Sequence, residues 1–337
     1  MYFEKLARRG AEFLGVKYPV ISGGMTWISN FELMRAVSEN GAFAVLAGGN
    51  MPPDVFEREI DRCIQNMRAP FAVNLVTIAP NYKSQYEMLL SKKAPFVVFA
   101  GGIPRRSEIE RMKKSGKKTM SFAAEESIAE QQIKYGIDAL ILEGSEAGGH
   151  IGHVSLTILL QQVLFEFGTS VPIFVGGGIA RGSMMAHLML MGAAGCQLGT
   201  RFVMSEECTA HDNFKKAFLK ARARHAVATP QYDSKLPVVA VRAIRNRGHE
   251  EFGKLQLKLL GELAEGSITR EKAQFEVENF WTGSLRRAAV DGDVEYGSLM
   301  AGQSVGLIDE IRPMKEIIEK LVEEAESELE RVAGRLA

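Results

Sequence analysis

Cysteine is scarce: the 337 residues contain three, at Cys63, Cys196 and Cys208. Three cannot build a disulfide framework, and no C-x-x-C spacing offers a zinc or redox pair. None reads as a nucleophile, since Cys63 falls in a helical stretch, Cys196 in a strand, and Cys208 in a Ser-Glu-Glu-Cys context that would not lower its pKa. Net charge is missing as well, with 41 basic side chains balancing 41 acidic ones. Without a clustered Lys/Arg stripe the chain lacks the electrostatic footprint of a nucleic-acid binder, so no nucleic-acid partner is expected. Long apolar runs are also absent. The stretches Pro95 to Ile103 and Ile158 to Phe167 are too short to span a bilayer, and the N-terminal MYFEKLARRGAEFLG has no apolar signal-peptide core. A cytoplasmic protein without a membrane partner is the expectation. No paired-carboxylate motif and no Ser-centred elbow stands out.

Glycine is plentiful, at 33 residues, and its placement follows the strands. Short β-branched or aromatic runs recur at Pro19–Ser22, Phe43–Ala47, Phe71–Leu75, Phe96–Ala100, Lys118–Phe122, Ala139–Glu143, Ile173–Gly176 and Gly195–Gly199. Each is followed by a stretch of helical period. This alternation predicts parallel strands with helical crossovers. Eight units in roughly two hundred residues fit a (β/α)8 TIM barrel, with a doubly wound sheet as the competing architecture. Glu250 to Arg287 reads as two helices separated by Gly266-Ser267, forming a small, mainly helical cap over the barrel mouth. Pro313 to Leu336 reads as an amphipathic helix whose apolar stripe includes Ile317, Ile318, Leu321 and Val322. The expected division is a barrel over 1–205, a cap or substrate-side domain over 206–290, and a C-terminal segment over 291–337 that returns to the barrel.

Chemistry gathers at the strand ends, where barrel enzymes place their sites. Gly176-Gly177-Gly178 follows the seventh expected strand and Gly199-Thr200 ends the eighth. Their backbone N–H groups can surround a phosphate at a helix N-terminus, or simply make tight turns. After the sixth strand, Glu143-Gly144-Ser145-Glu146-Ala147-Gly148-Gly149-His150 presents an imidazole amid glycines that let backbone lie close to a flat ligand. His150 is the candidate proton carrier. His153 is expected to be structural or solvent-facing, His187 to pack, and His211, His225 and His249 to lie in the cap without metal-ligand spacing. Asn74 can donate to and accept from a heterocycle edge. Gly23-Gly24-Met25 can admit a planar ring, as can Gly48-Gly49-Asn50 and Gly101-Gly102, although each singly also fits a plain turn. No metal site is expected.

The segment Glu143–Gly152, the run Gly176–Ala180 followed by Gly195 to Phe202, and the opening Tyr18-Pro19-Val20-Ile21-Ser22-Gly23-Gly24-Met25 resemble the superfamily of FMN-dependent nitronate monooxygenases (2-nitropropane dioxygenases) and flavin-type enoyl-acyl-carrier-protein reductases. Val241 to Asn246, Asp291 to Val294 and Gly297 to Gln303 look like the reductase branch. The resemblance implies FMN across the barrel mouth: Gly23, Gly24 and Met25 at the ring, Asn74 at its polar edge, and Glu143 and Gly149 between ring and ribityl chain. Gly177, Gly178, Gly199 and Thr200 would hold the phosphate, Ser298 and Gln303 would close the ring from the C-terminal side, Gly148 and Gly176 would also bind the cofactor, and His150 would face substrate. Ser145 departs from the reductases, which tend to carry a bulky Met there. An iron–sulfur branch is set aside because three scattered cysteines cannot supply four ligands. The implied activity is reduction of trans-2-enoyl thioesters by NADH or NADPH through FMN, as in fatty acid biosynthesis. The alternatives are nitronate oxidation with O2, and a flavin-binding protein without efficient turnover. Partners are then a small-molecule or acyl-thioester substrate, with acyl carrier protein and a homodimer left open. Arg242, Arg245 and Arg247 form a local basic patch that could receive such a carrier or belong to a solvated loop.

Overall fold

A computed structural model describes residues 1–49, 51–236, 238 and 240–336; Asn50 of the Gly48-Gly49-Asn50 turn lies outside the described residues. In chain order the strands are β1 (Val20–Ser22), β2 (Ala44–Ala47), β3 (Phe71–Val76), β4 (Phe96–Ala100), β5 (Lys118–Ala123), β6 (Ala139–Glu143), β7 (Gly149–His150), β8 (Ile173–Gly176), β9 (Gly195–Leu198), β10 (Ala226–Ala228), β11 (Val241–Ile244) and β12 (Leu299–Met300). Eight of them run parallel in the order β1-β9-β8-β6-β5-β4-β3-β2. The two ends of this sheet meet where Ile21 bridges Phe43, with Phe43 N–H donating to Val20 O at 2.8 Å and Ser22 N–H to Phe43 O at 2.9 Å. That closure decides for the barrel over the open doubly wound sheet.

Side chains of a strand alternate between its two faces. Phe43, Val45, Ala72, Phe96, Val98, Met120, Ala139, Ile141 and Phe174 accordingly form one buried cluster inside the barrel. Their neighbours Val73, Val97, Leu140, Leu142 and Val175 belong to the larger cluster beneath the helices. The helix Tyr2–Leu14 ends with Phe13 and Leu14 in the interior cluster. Phe13 meets Phe96, at the start of β4, edge-on at 5.7 Å, so this helix closes the N-terminal end of the barrel. Complete burial of Leu14 contributes about 1.5–3 kcal/mol.

The opposite end is open, and the same two-residue step builds it. Two residues beyond Ala72, Val98, Met120 and Ile141 come Asn74, Ala100, Phe122 and Glu143, all lining the mouth.

Over the mouth stand the helices Arg247–Ala264 and Arg270–Ala289. Phe252, Leu259, Val277 and Trp281 share a core of their own with Leu236, Val238 and Val241. Phe252 and Trp281 are 4.3 Å apart between ring centroids. The region also contains a four-stranded sheet, in which β11 pairs antiparallel with β10, β12 and β7. Strands of two to four residues are too short to show a period of two in sequence. By contrast, Phe214 and Phe218 on the helix Asp212–Lys220 pack into the barrel-side cluster. The final helix, Met314–Leu336, buries Ile317, Ile318 and Leu321 and lies against the helices Gly182–Leu190 and Tyr2–Leu14. Among the described residues no helix is long and apolar enough to cross a membrane.

Candidate active site

A cavity of about 700 Å³ lies between the barrel mouth and the cap. Of the residues expected at the site, it is lined by Gly23, Gly24, Met25, Asn74, Glu143, Gly148, Gly149, His150, Gly177, Gly178, Gly199 and Thr200. Gly176, Ser298 and Gln303 lie off the lining. Gly176 ends β8 within the ladder, paired with Gln197. Ser298 is buried behind the wall, its N–H donating to Ser284 O at 2.8 Å. Gln303 opens a 3-10 turn with its N–H on Glu146 O at 3.0 Å and its side chain exposed. Gly302 and Ser304 reach the cavity from that segment instead.

The phosphate loops have a clear physical basis. Gly177 and Gly178 hold φ of 94° and 71°, a left-handed geometry that glycine adopts without strain. Among the described residues nothing accepts a hydrogen bond from either N–H. The helix after them offers less than the sequence suggests, because the Gly182 N–H already donates to Glu324 Oε2 at 2.7 Å. The available donors are therefore those of the loop. At Gly23 and Gly199 the fold itself has room for a side chain: an added Cβ would meet nothing closer than 3.7 Å and 3.4 Å. Both glycines line the cavity, so their missing side chains leave space for a ligand. Thr200 Oγ1 accepts from Gly302 N–H at 3.0 Å, tying the C-terminal segment to this loop. These unpaired donors and open positions fit the phosphate and flat ring of a flavin nucleotide.

Gly148 serves a different purpose. An added Cβ there would lie 2.5 Å from Ala301 C and Gly302 N, so glycine admits neighbouring backbone and not a ligand. The glycine–histidine loop then enters the small sheet, where Gly149 is opposite Arg242 and His150 opposite Val241. Ile151 N–H donates to Ala240 O at 2.8 Å. Two motifs separated by ninety residues in sequence are thus one ladder. Arg242 donates through Nε to Ser145 O at 2.9 Å and through Nη1 to Ala226 O at 2.7 Å. Arg247 pairs with Glu295 at 2.6 Å. The expected basic patch is corrected accordingly: Arg242 is engaged internally, and of the three only Arg245 is exposed without an ion-pair partner among the described residues.

Two titratable groups in the wall are displaced in opposite directions. Burial pushes the Glu143 carboxyl up to about 8 and pulls the His150 imidazole down to about 4, since removal from water penalises the charged form of each. At neutral pH Glu143 carries its proton and His150 is uncharged. His153 is exposed and lines the cavity, as does Glu125. His187 is exposed and pairs with Glu328 on the final helix at 2.5 Å. Asn74 is buried, with Nδ2 donating to Val98 O at 3.4 Å.

Several lining residues gave no sequence signal. Gln197 faces the mouth two residues beyond Gly195, a position that strand alternation does indicate once the inward face is known. Gln231, Val238, Gln274, Trp281 and Leu285 come from the cap, whose approach to the mouth depends on tertiary packing.

The family model for nitronate monooxygenase matches residues 8–86 and 77–324. The chain belongs to the nitronate monooxygenase family. Members named for different reactions are similar to it. FabK of Thermotoga maritima, a flavin enoyl-acyl-carrier-protein reductase, is 35% identical with a TM-score of 0.84, covering 97% of this chain and 98% of that one. A Mycobacterium tuberculosis relative named (3aS,4S,5R,7aS)-5-hydroxy-7a-methyl-1-oxo-octahydro-1H-indene-4-carboxyl-CoA dehydrogenase is 28% identical over 96% of this chain and 97% of its own. A probable nitronate monooxygenase of Staphylococcus aureus is 26% identical over 88% of this chain and 91% of its own. This nitronate monooxygenase family member is a flavin-dependent oxidoreductase.

Proposed function

We propose that the protein is an FMN-dependent reductase of trans-2-enoyl thioesters, with NADH or NADPH as co-substrate. The observation that carries this reading is the cavity's lining, which contains no lysine or arginine among the described residues, while the His150 imidazole is neutral at physiological pH. A nitronate is an anion and would enter without a counter-charge. An enoyl thioester is uncharged at its reacting end and suits apolar walls such as Val76, Ile103, Phe122 and Ile128. The thermotogal FabK, an enoyl-acyl-carrier-protein reductase, and the mycobacterial relative, named for a carboxyl-CoA substrate, add support, since both act on thioesters.

Gly23, Gly24, Met25 and Asn74 would receive the ring, Glu143 and Gly149 the region beside it, and Gly177, Gly178, Gly199 and Thr200 the phosphate. Bound there, FMN supplies hydride exchange between nicotinamide and substrate. The chain's own contribution is orientation, exclusion of water and control of protons. His150, neutral at pH 7, can donate one N–H hydrogen bond to a thioester carbonyl and polarise it. It is a poor pre-protonated acid. Glu143 is a carboxyl of the cavity wall that retains its proton at neutral pH, so a proton is held within the site.

A second reading, oxidation of nitronates with O2, is favoured by one feature. The His150 imidazole, uncharged at neutral pH, can accept the α-proton of a nitroalkane, though burial makes it a weaker base than a free histidine. Anaerobic mixing with NADH and NADPH tests the first reading: bleaching of the bound flavin by either nicotinamide supports it, and failure of both removes it.

A further inference from the structure

We propose that Arg242 is the residue that positions His150, by fastening the glycine–histidine loop to the cap sheet. Its guanidinium reaches two carbonyl oxygens on separate pieces of chain, Ser145 O at 2.9 Å in the loop and Ala226 O at 2.7 Å at the start of β10. Its own backbone lies in β11 opposite Gly149, one residue from His150. Arg242 therefore grips the loop upstream of the histidine, while the ladder and the Ile151 N–H bond to Ala240 O hold it at and after the histidine. The intervening residues include Gly148 and Gly149, which offer little stiffness of their own.

The arginine is held at a cost. It is half-buried, its pKa is lowered by desolvation, and the carboxylate that acts on it, Glu146, makes no ion pair with it among the described residues. A desolvated cation satisfied only by carbonyl oxygens is a poor device for stability alone. It is a good device for geometry, because a planar guanidinium fixes two acceptors in one plane, which a lysine ammonium cannot do. Besides His150, the described titratable side chains lining the cavity are Glu125, Glu143 and His153, while Glu146 in the loop acts on Arg242. None of them replaces the bridge to β10.

The test uses the flavin-loaded enzyme in wild-type, R242K, R242Q and R245Q forms. Arg245 is exposed on the same segment and serves as the control. The first readout is the titration of His150 by NMR on 13C-labelled histidine, its resonance assigned through H150N. Wild-type His150 is expected to stay neutral down to about 4. With the loop released, R242Q moves the midpoint up by about one to two pH units as water reaches the ring. R242K should fall between them, and R245Q should match wild type. The second readout is turnover of a crotonyl thioester, which drops about 100-fold in R242Q from misplacement of the ring, with partial recovery on adding millimolar guanidinium.

The titration does not depend on the proposed reaction, whereas the turnover does. A shifted midpoint with no thioester turnover in any form sinks the functional reading and leaves this proposal standing. A folded R242Q whose His150 titrates as in wild type overturns it, even if the variant melts earlier. Should R242Q fail to fold, R242K is judged by the same midpoint.

Discussion

Replacing Gly199 and Gly148 with alanine, one at a time, separates glycines kept for a ligand from glycines kept for the fold. At Gly199 the backbone has φ −114° and ψ −72°, and the new Cβ would meet only Met25 Sδ at 3.4 Å and Met25 Cγ at 3.9 Å. The flavin-free protein should therefore be unharmed, or stabilised by about 0.4–1 kcal/mol through the stiffer unfolded chain. The methyl group would project into the cavity both residues line. A phosphate oxygen must come within about 2.7–3.2 Å of an N–H, whereas a methyl carbon keeps neighbours at roughly 3.5–4 Å. We expect FMN affinity to weaken at least about tenfold, or about 1.4 kcal/mol. At Gly148 the Cβ would lie 2.5 Å from two backbone atoms of Ala301 and Gly302. The backbones must part by about 1 Å, an overpacking cost of about 1–3 kcal/mol. Circular dichroism melts of the flavin-free proteins and fluorescence titration with FMN read the two effects. If Gly199→Ala binds FMN as tightly as wild type, the phosphate assignment is wrong. If Gly148→Ala melts with wild type, the close approach of the C-terminal segment is wrong.

Three further outcomes follow from the same geometry. Glu143 has its pKa raised from 4.5 to about 8 in the folded state and so favours folding most below 4.5, an effect lost as pH rises to 8; His150, lowered from 6.5 to about 4, favours folding above 6.5, an effect lost as pH falls to 4. The two slopes oppose between 4.5 and 6.5, leaving Glu143's alone from 6.5 to 8: the flavin-free protein should lose stability over that window in denaturant titrations, and Glu143→Gln should remove the loss. Thr200→Val deletes the acceptor of the Gly302 N–H, so stability should fall by about 0.5–1.5 kcal/mol in a urea melt, and an unchanged midpoint would contradict that bond. Leu285→Trp narrows the cavity from the cap side; KM should rise about tenfold for a long acyl thioester and little for crotonyl, with kcat retained for both, and equal effects on both would place the chain elsewhere.

The barrel was legible because its strands carry signals that survive without tertiary context. The strand runs of Phe71-Ala72-Val73 and Ala139-Leu140-Ile141 are apolar on both faces, as a sheet covered on both sides demands. The strand-end residues followed from them, which is why Asn74, Glu143 and His150 could be expected at the mouth that they line. Composition could not distinguish the reasons for glycine: Gly148 faces backbone, Gly177 and Gly178 hold left-handed turns, and Gly199 leaves open space. It also could not show the small sheet, whose strands are held by partners distant in the chain, nor that Arg242 points inward to carbonyls. Trp281 and Leu285 read as ordinary helix core. Their place on the cavity exists only once the cap is seated.

That the reduced enzyme passes its electrons to an enoyl thioester is open to direct measurement. Its most direct test is anaerobic stopped-flow mixing of the nicotinamide-reduced enzyme with crotonyl thioester, followed by the flavin absorbance. Prompt recovery of the oxidised spectrum is expected, with one equivalent of saturated thioester formed. No recovery with thioester, together with His150-dependent oxygen uptake on an alkyl nitronate in air, would contradict it.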